Sequence, residues 1–160
     1  MSTAHTIVDS PLGELILVAE AGTLSGVYFP GHWTRPDPAT FGERSHHQLE
    51  QVEEQLAEYF AGERTSFELP TSADGNPFQR QVWELIERVP YGQTTTYGRL
   101  ARELGNPTLA RKVGNAVGHN PLSVIVPCHR VVGKDGKLTG YAGGLARKRF
   151  LLDLEADDAA

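Results

Sequence analysis

Thr96-Tyr97-Gly98-Arg99-Leu100-Ala101-Arg102-Glu103-Leu104-Gly105-Asn106-Pro107-Thr108-Leu109-Ala110-Arg111-Lys112-Val113-Gly114-Asn115-Ala116-Val117-Gly118 sets the fold of the second half of this chain. Thr96 to Leu104 reads as a short helix closed by Gly105-Asn106, and Pro107 starts a second helix through about Val117. Two short helices joined by a Gly-containing turn make a helix-turn-helix, whose second helix usually enters a DNA groove. Here the second helix carries Arg111 and Lys112 but is otherwise small, with Ala110, Gly114, Ala116 and Gly118. Glycine costs a helix interior about 1 kcal/mol relative to alanine, so something needs close approach to this backbone. Packing against another helix is one account; a narrow groove is the other.

Upstream, Asn76-Pro77 supplies an N-cap and a proline for the first helical position. Phe78, Val82, Leu85, Ile86 and Val89 then form a buried stripe that Pro90 ends. Downstream, Gly118-His119-Asn120-Pro121 is a stop signal. Val124-Ile125-Val126-Pro127-Cys128-His129-Arg130-Val131-Val132 surrounds the only cysteine. A β-branched run ending at proline predicts a buried strand that stops abruptly, with Cys128 at its mouth. His129 and Arg130 place a proton acceptor and positive charge beside the thiol, and both favour the nucleophilic thiolate. The plainer alternative is a small buried hydrophobe that happens to be cysteine. Gly133-Lys134-Asp135-Gly136-Lys137 reads as a tight turn resembling a wing. The glycines of Gly140-Tyr141-Ala142-Gly143-Gly144 suggest a loop whose backbone approaches a ligand. A last helix, about Leu145 to Glu155, turns Leu145, Phe150, Leu151, Leu152 and Leu154 inward and lets Glu155 reach back toward His129.

The first half reads differently. Thr6–Asp9, Glu14–Ala19 and Leu24–Phe29 are short strands separated by turns, Gly31 to Thr40 is a loop, and Ser45 to Ala61 is an amphipathic helix. Leu69 to Gly75 is a polar, breaker-rich connection. The expectation is therefore two domains: an α/β domain over 1–75, a small antiparallel sheet plus helix, and a mainly α winged helix-turn-helix domain over 76–160.

Composition narrows the class. The 160 residues are 39% hydrophobic and 22% charged, which are globular values. No apolar run is long enough to span a bilayer, and Met1 to His5 does not begin a secretory signal. A single cysteine makes no intramolecular disulfide and no cysteine-rich zinc site, so the cytoplasm is the expected compartment. The six histidines show no H-E-x-x-H spacing, and the neighbouring His46-His47 would not share a helix face. Neither metal nor cofactor is expected. Net charge is −5, but residues 1–75 carry 3 basic and 12 acidic side chains while residues 76–152 carry 12 basic and 4 acidic. Such asymmetry between halves is a nucleic-acid signal that the total conceals.

Asn120-Pro121, Pro127-Cys128-His129-Arg130-Val131, Gly140-Tyr141, Gly143-Gly144, Lys148, Leu151-Leu152 and Glu155 together resemble the O6-alkylguanine-DNA alkyltransferases. Pro90-Tyr91-Gly92, Tyr97, Ala110-Arg111 and Val113-Gly114 fit the same pattern in the same order. The likeness is strong over 76–155 and loose over the first 75 residues, where it implies a ribonuclease H-like domain. The cysteine excludes the alkyltransferase-like relatives that lack it.

The resemblance implies direct DNA repair. Cys128 takes the alkyl group from O6 of a guanine (with O4-alkylthymine a further substrate) in one irreversible transfer, after the base is flipped out of the duplex. It implies that His129 takes the thiol proton through a water, that Glu155 orients His129, and that Asn120 holds the turn beside the cysteine. Tyr97 would donate its phenol to the departing guanine. Arg111 would fill the vacated stack, with Lys112, Gly114 and Ala110 on the helix that enters the minor groove. Val131, Tyr141, Ala142, Gly143 and Ser123 would line the pocket, the carbonyls of Cys128 and Val131 reading the exocyclic amine. The implied partner is duplex DNA and no membrane, bound by a monomer able to assemble along the duplex. Four positions depart from the family pattern: Ala142 where serine is frequent, Lys112 and Asn115 where smaller residues are common, and Ser123 where some members have proline. Two other classes fit fewer residues. A cysteine hydrolase would turn over esters, and a DNA-binding regulator would keep its operator affinity after thiol blockage.

Overall fold

A computed structural model of the chain describes residues 3–31, 36–45 and 49–159, the side chains of 158 and 159 aside. His32, the His46-His47 pair and the start of the helix expected from Ser45 lie outside the described residues. Two compact units emerge, Met1–Asp74 with Pro121–Ile125, and Gly75–Asn120 with Val126–Ala160.

In the first unit, β1 (Thr3–Ser10) and β2 (Gly13–Glu20) form an antiparallel hairpin, and β3 (Thr23–Tyr28) pairs antiparallel with β2. The Ser10 hydroxyl donates to the Gly13 carbonyl (2.6 Å), and Gly13 takes φ +99°, a conformation open to glycine without strain. A short β4 (Glu43–Arg44) pairs parallel with β1, giving the order β3-β2-β1-β4. The sheet is thus mixed rather than purely antiparallel as expected, because the loop after β3 returns the chain to the far edge in the direction of β1. Leu15, Leu17, Val27 and Phe29 are fully buried, and Tyr28 stacks on Phe41 at 5.6 Å. In α1 (Glu50–Phe60) the inward face is Val52, Gln55, Leu56 and Tyr59. The buried Gln55 amide is satisfied by both backbone groups of Glu68. The expected polar connection in fact pairs with β3: Leu24 N–H donates to the Pro70 carbonyl and Ser72 N–H to the Leu24 carbonyl. Val27 N–H likewise donates to the Pro121 carbonyl, tying Pro121–Ile125 to this unit.

The second unit opens with α2 (Pro77–Glu87). Asn76 accepts from Gln79 N–H while Gln79 returns the bond to Asn76 N–H, a complete capping box. Its buried face is Val82, Trp83 and Ile86. Trp83, absent from the expected stripe, is held by its indole donating to the Ala116 carbonyl at 2.9 Å. The strand β5 (Thr95–Thr96) leads into α3 (Tyr97–Glu103), whose N-cap is Thr96. Gly105 turns at φ +92°, Asn106 caps the 3-10 turn Pro107–Leu109, and α4 (Ala110–Gly118) follows. The helix-turn-helix is present as read from the sequence. A two-residue β6 (Val131–Val132) pairs parallel with β5, and the wing-like turn closes by Gly133 N–H donating to the Lys137 carbonyl. The chain ends in α5 (Leu145–Ala159).

Two expectations fail. Residues 124–126 form a turn, not a strand, with the β-branched Val124 at φ +72°. That backbone region is sterically costly for such a residue, and it bends the chain just before the cysteine. In α5 the buried residues are Lys148, Leu151 and Glu155, whereas Leu145 and Phe150 are exposed. The inward face follows the three- and four-residue helical step through two charged side chains rather than through every leucine.

Candidate active site

Cys128 begins a single 3-10 turn, Cys128–Arg130, at the end of the Val124 bend, and it is buried. Asn120, at the end of α4 and itself buried, donates one amide to the Val126 carbonyl (2.9 Å) and to Cys128 Sγ (3.2 Å). The side chain therefore both fixes the bend and touches the sulfur. Burial pushes the thiol above its ordinary 9.0, against the pull of the Asn120 amide, the Lys148 ammonium and the Tyr141 hydroxyl. At neutral pH the resting group is a thiol, and attack requires a base.

A group with the chemistry of such a base lies one residue on. His129 is fully buried, and its Nε2 lies 2.7 Å from Glu155 Oε2. An ionised carboxylate only accepts, so Nε2 carries the proton and Nδ1 is the lone-pair nitrogen. Nδ1 is buried with no hydrogen-bond partner among the described residues. Burial holds the imidazole below its ordinary 6.5, overcoming Glu155, which raises it. The result is a neutral imidazole with an unused acceptor, two groups along a turn from a neutral thiol.

Arg130 does not serve the thiol as the sequence suggested. Its Nε and Nη2 donate to the two oxygens of Glu155 at 2.8 and 2.9 Å, and Nη1 donates to the Val89 carbonyl at 2.7 Å. The cation near the sulfur is Lys148, whose Nζ donates to the carbonyls of Val131 (2.6 Å) and Thr139 (3.1 Å). Burial brings its pKa down to about 8. In the sequence Lys148 belongs to the family pattern but carries no evident role. Its position three before Leu151 and seven before Glu155 is the signal that it shares their face.

Tyr97 opens α3, and its oxygen accepts from the Thr139 hydroxyl at 3.0 Å, which leaves the phenol proton to donate elsewhere. Burial raises its pKa, the Thr139 bond lowers it, and the Cys128 charge raises it again. Tyr141 and Gly143 are buried and Ala142 is half-buried, in a turn where Gly144 N–H donates to the Tyr141 carbonyl. The structure brings Cys128, Asn120, Tyr141 and Lys148 together, and His129 and Arg130 of the same turn form a second cluster with Glu155 of α5. Ser123 is buried in the segment that groups with the first unit.

The family model for the 6-O-methylguanine DNA methyltransferase DNA binding domain matches residues 77–157, and that for its ribonuclease-like domain matches 4–73. The chain belongs to the 6-O-methylguanine DNA methyltransferase family. Among relatives, a Mycobacterium tuberculosis protein named Methylated-DNA--protein-cysteine methyltransferase is 45% identical over 97% of this chain and 93% of its own. A Bacillus subtilis protein of that name, marked constitutive, is 41% identical over 94% of each chain or nearly so. The solved structure of Mycobacterium tuberculosis OGT in complex with DNA superposes with a TM-score of 0.86 at 42% identity, covering 97% of this chain and 94% of that one. Family membership directs attention to α4. Arg111 and Lys112 are exposed there, Ala110 and Gly114 half-buried, and the Lys112 ammonium sits 4.3 Å over the Phe78 ring. A Cβ on Gly114 would meet only the Tyr97 ring, at 3.7 Å, an ordinary contact. Packing within the methyltransferase fold therefore does not require that glycine.

Proposed function

We propose that this chain repairs alkylated DNA by moving the alkyl group from O6 of guanine to Cys128, once per molecule. The observation that carries the reading is a buried thiol next in the chain to a buried histidine whose Nε2 is fixed on Glu155 and whose Nδ1 has no hydrogen-bond partner among the described residues. His129 Nδ1 takes the thiol proton, through a water. The sulfur then attacks the alkyl carbon, forming the S–C bond as the C–O6 bond breaks. The Tyr97 phenol supplies a proton to the departing base, and the proton held on His129 restores the phenol, so the thiol proton ends on guanine. A thioether has no neighbouring group placed to hydrolyse it, which makes the transfer irreversible.

The target atom lies inside the stack, so the base leaves it, and Arg111 occupies the gap. The small-residue α4 suits the narrow minor groove. The pocket for the flipped base is formed by Val131, Tyr141, Ala142 and Gly143, and a compartment with DNA and reduced thiols, the cytoplasm, is where such a protein works. Similarity to methylated-DNA--protein-cysteine methyltransferases and to a DNA-bound structure supports this reading. The test is intact-mass and peptide analysis after exposure to duplex DNA carrying O6-methylguanine. The expected result is one methyl group per chain, on Cys128, with none added to Cys128→Ser, which keeps its DNA affinity. Repeated turnover by sub-stoichiometric protein overturns the reading.

A further inference from the structure

Arg130 is 7% exposed, yet it makes three hydrogen bonds, two of them a parallel fork onto Glu155. Glu155 Oε2 is shared between Arg130 Nη2 and His129 Nε2. We propose that Arg130 is a positioning residue for the relay: by holding both oxygens of Glu155, its guanidinium lets His129 rest as an unprotonated base. The inference rests on the reading that His129 deprotonates Cys128.

Charge balance in a dry site decides the protonation of His129. A buried carboxylate facing only an imidazole is an uncompensated charge, and the nearest proton settles on the imidazole to make an ion pair. A histidine in that state cannot accept the thiol proton. With Arg130 in place, Glu155 is already compensated, and a proton on His129 would add an excess positive charge. The other groups facing the histidine divide by charge. From α5 come Glu155, which favours the protonated form, and Lys148, which with Arg130 disfavours it. Cys128 precedes it on its own turn, and α2, packed on that turn, carries Arg80, Glu84 and Glu87, all exposed. The fork also fixes the carboxylate plane, so that Oε2 meets Nε2 and Nδ1 is left as the acceptor. A lysine cannot reproduce that two-point hold. The Val89 carbonyl and the Tyr91 ring, 5.6 Å from the guanidinium carbon, pin Arg130 in turn.

The experiment compares full-length wild type, Arg130→Gln and Arg130→Lys by two readouts across pH: nitrogen NMR of His129, and the rate of methyl transfer from duplex DNA. Wild type is expected to show a neutral His129 with its proton on Nε2 at about pH 7, and an acid limb of the rate below the ordinary imidazole range. In Arg130→Gln that limb moves up by about one unit or more, so the loss approaches roughly tenfold only at pH values below the wild-type limb and is largely recovered near pH 8.5. Arg130→Lys keeps the limb close to wild type while losing rate at every pH. A loss in Arg130→Gln that is equal at all pH values, with the His129 titration unmoved, overturns the proposal. So does a wild-type His129 already protonated near pH 7, a result that needs no variant to fold. Wild type that transfers no methyl group would sink the alkyl-transfer reading, and the Arg130 assignment would then stand if Arg130→Gln raises the His129 titration and fall if it does not.

Discussion

The 3-10 turn Cys128–Arg130 and the helix α4 lie in the same unit and are built on opposite plans. On the turn every ionisable side chain is buried and answered from within the protein: Cys128 by Asn120, and His129 and Arg130 by Glu155. On α4, Arg111 and Lys112 are exposed, and a Cβ at Gly114 would make only an ordinary contact with the Tyr97 ring. A closed polar cluster sets proton positions without help from a ligand, whereas an exposed basic helix with little bulk is shaped by what it meets. Under the proposed function the chemistry resides on the turn, and access to the base resides on α4. Changes on the turn should affect any alkyl donor, and changes on α4 only duplex DNA.

The largest effect expected on both kinds of donor, short of removing the sulfur, is at Glu155. Glu155→Gln should slow transfer by roughly ten- to a hundredfold, a share of what a positioned general base provides. The loss should be similar for duplex O6-methylguanine and for free O6-benzylguanine, with DNA affinity kept. The same change strands the Arg130 guanidinium, and breaking a buried pair costs about 3–5 kcal/mol, so rates are to be read well below the lowered melting temperature. A loss confined to duplex DNA would erase the division between turn and helix.

The smallest effect is at Gly114. Gly114→Ala adds a methyl group that touches Tyr97 at ordinary distance, and it should stabilise the protein by up to about 1 kcal/mol. DNA affinity should fall several-fold while the free-base rate stays put. Thermal melting and a binding titration check this. A destabilised variant with unchanged affinity would mean that the glycine serves internal packing after all.

Local signals carried the helix-turn-helix far. Asn76-Pro77, Thr96, Gly105-Asn106 and Pro107 are cap and breaker residues whose effect is confined to one turn of chain, so their positions are legible from sequence alone. The bend at Val124 was not legible, because three β-branched residues favour a strand. The Asn120 amide that bonds across to Val126 and Cys128 instead belongs to a stop signal several residues earlier. Arg130 was misread for a related reason. Its proximity to Cys128 is sequential, whereas its partner Glu155 is 25 residues away. The inward face of α5 was misread because counting apolar residues favours Leu145 and Phe150 over the charged Lys148 and Glu155. Buried charges look like surface until their partners are known. Arg111, Lys112 and Gly114 were legible as a basic, small-residue helix; what they meet is not written in the chain.

The most direct test of the division is the rate of Arg111→Ala on two donors, duplex DNA carrying O6-methylguanine and the free base O6-benzylguanine. Unstacking costs a few kcal/mol in the duplex and nothing for a free base. Arg111→Ala should therefore lose roughly a hundredfold on duplex DNA and react with the free base at nearly the wild-type rate. An equal loss on both donors would place Arg111 in the pocket or the fold and contradict the account.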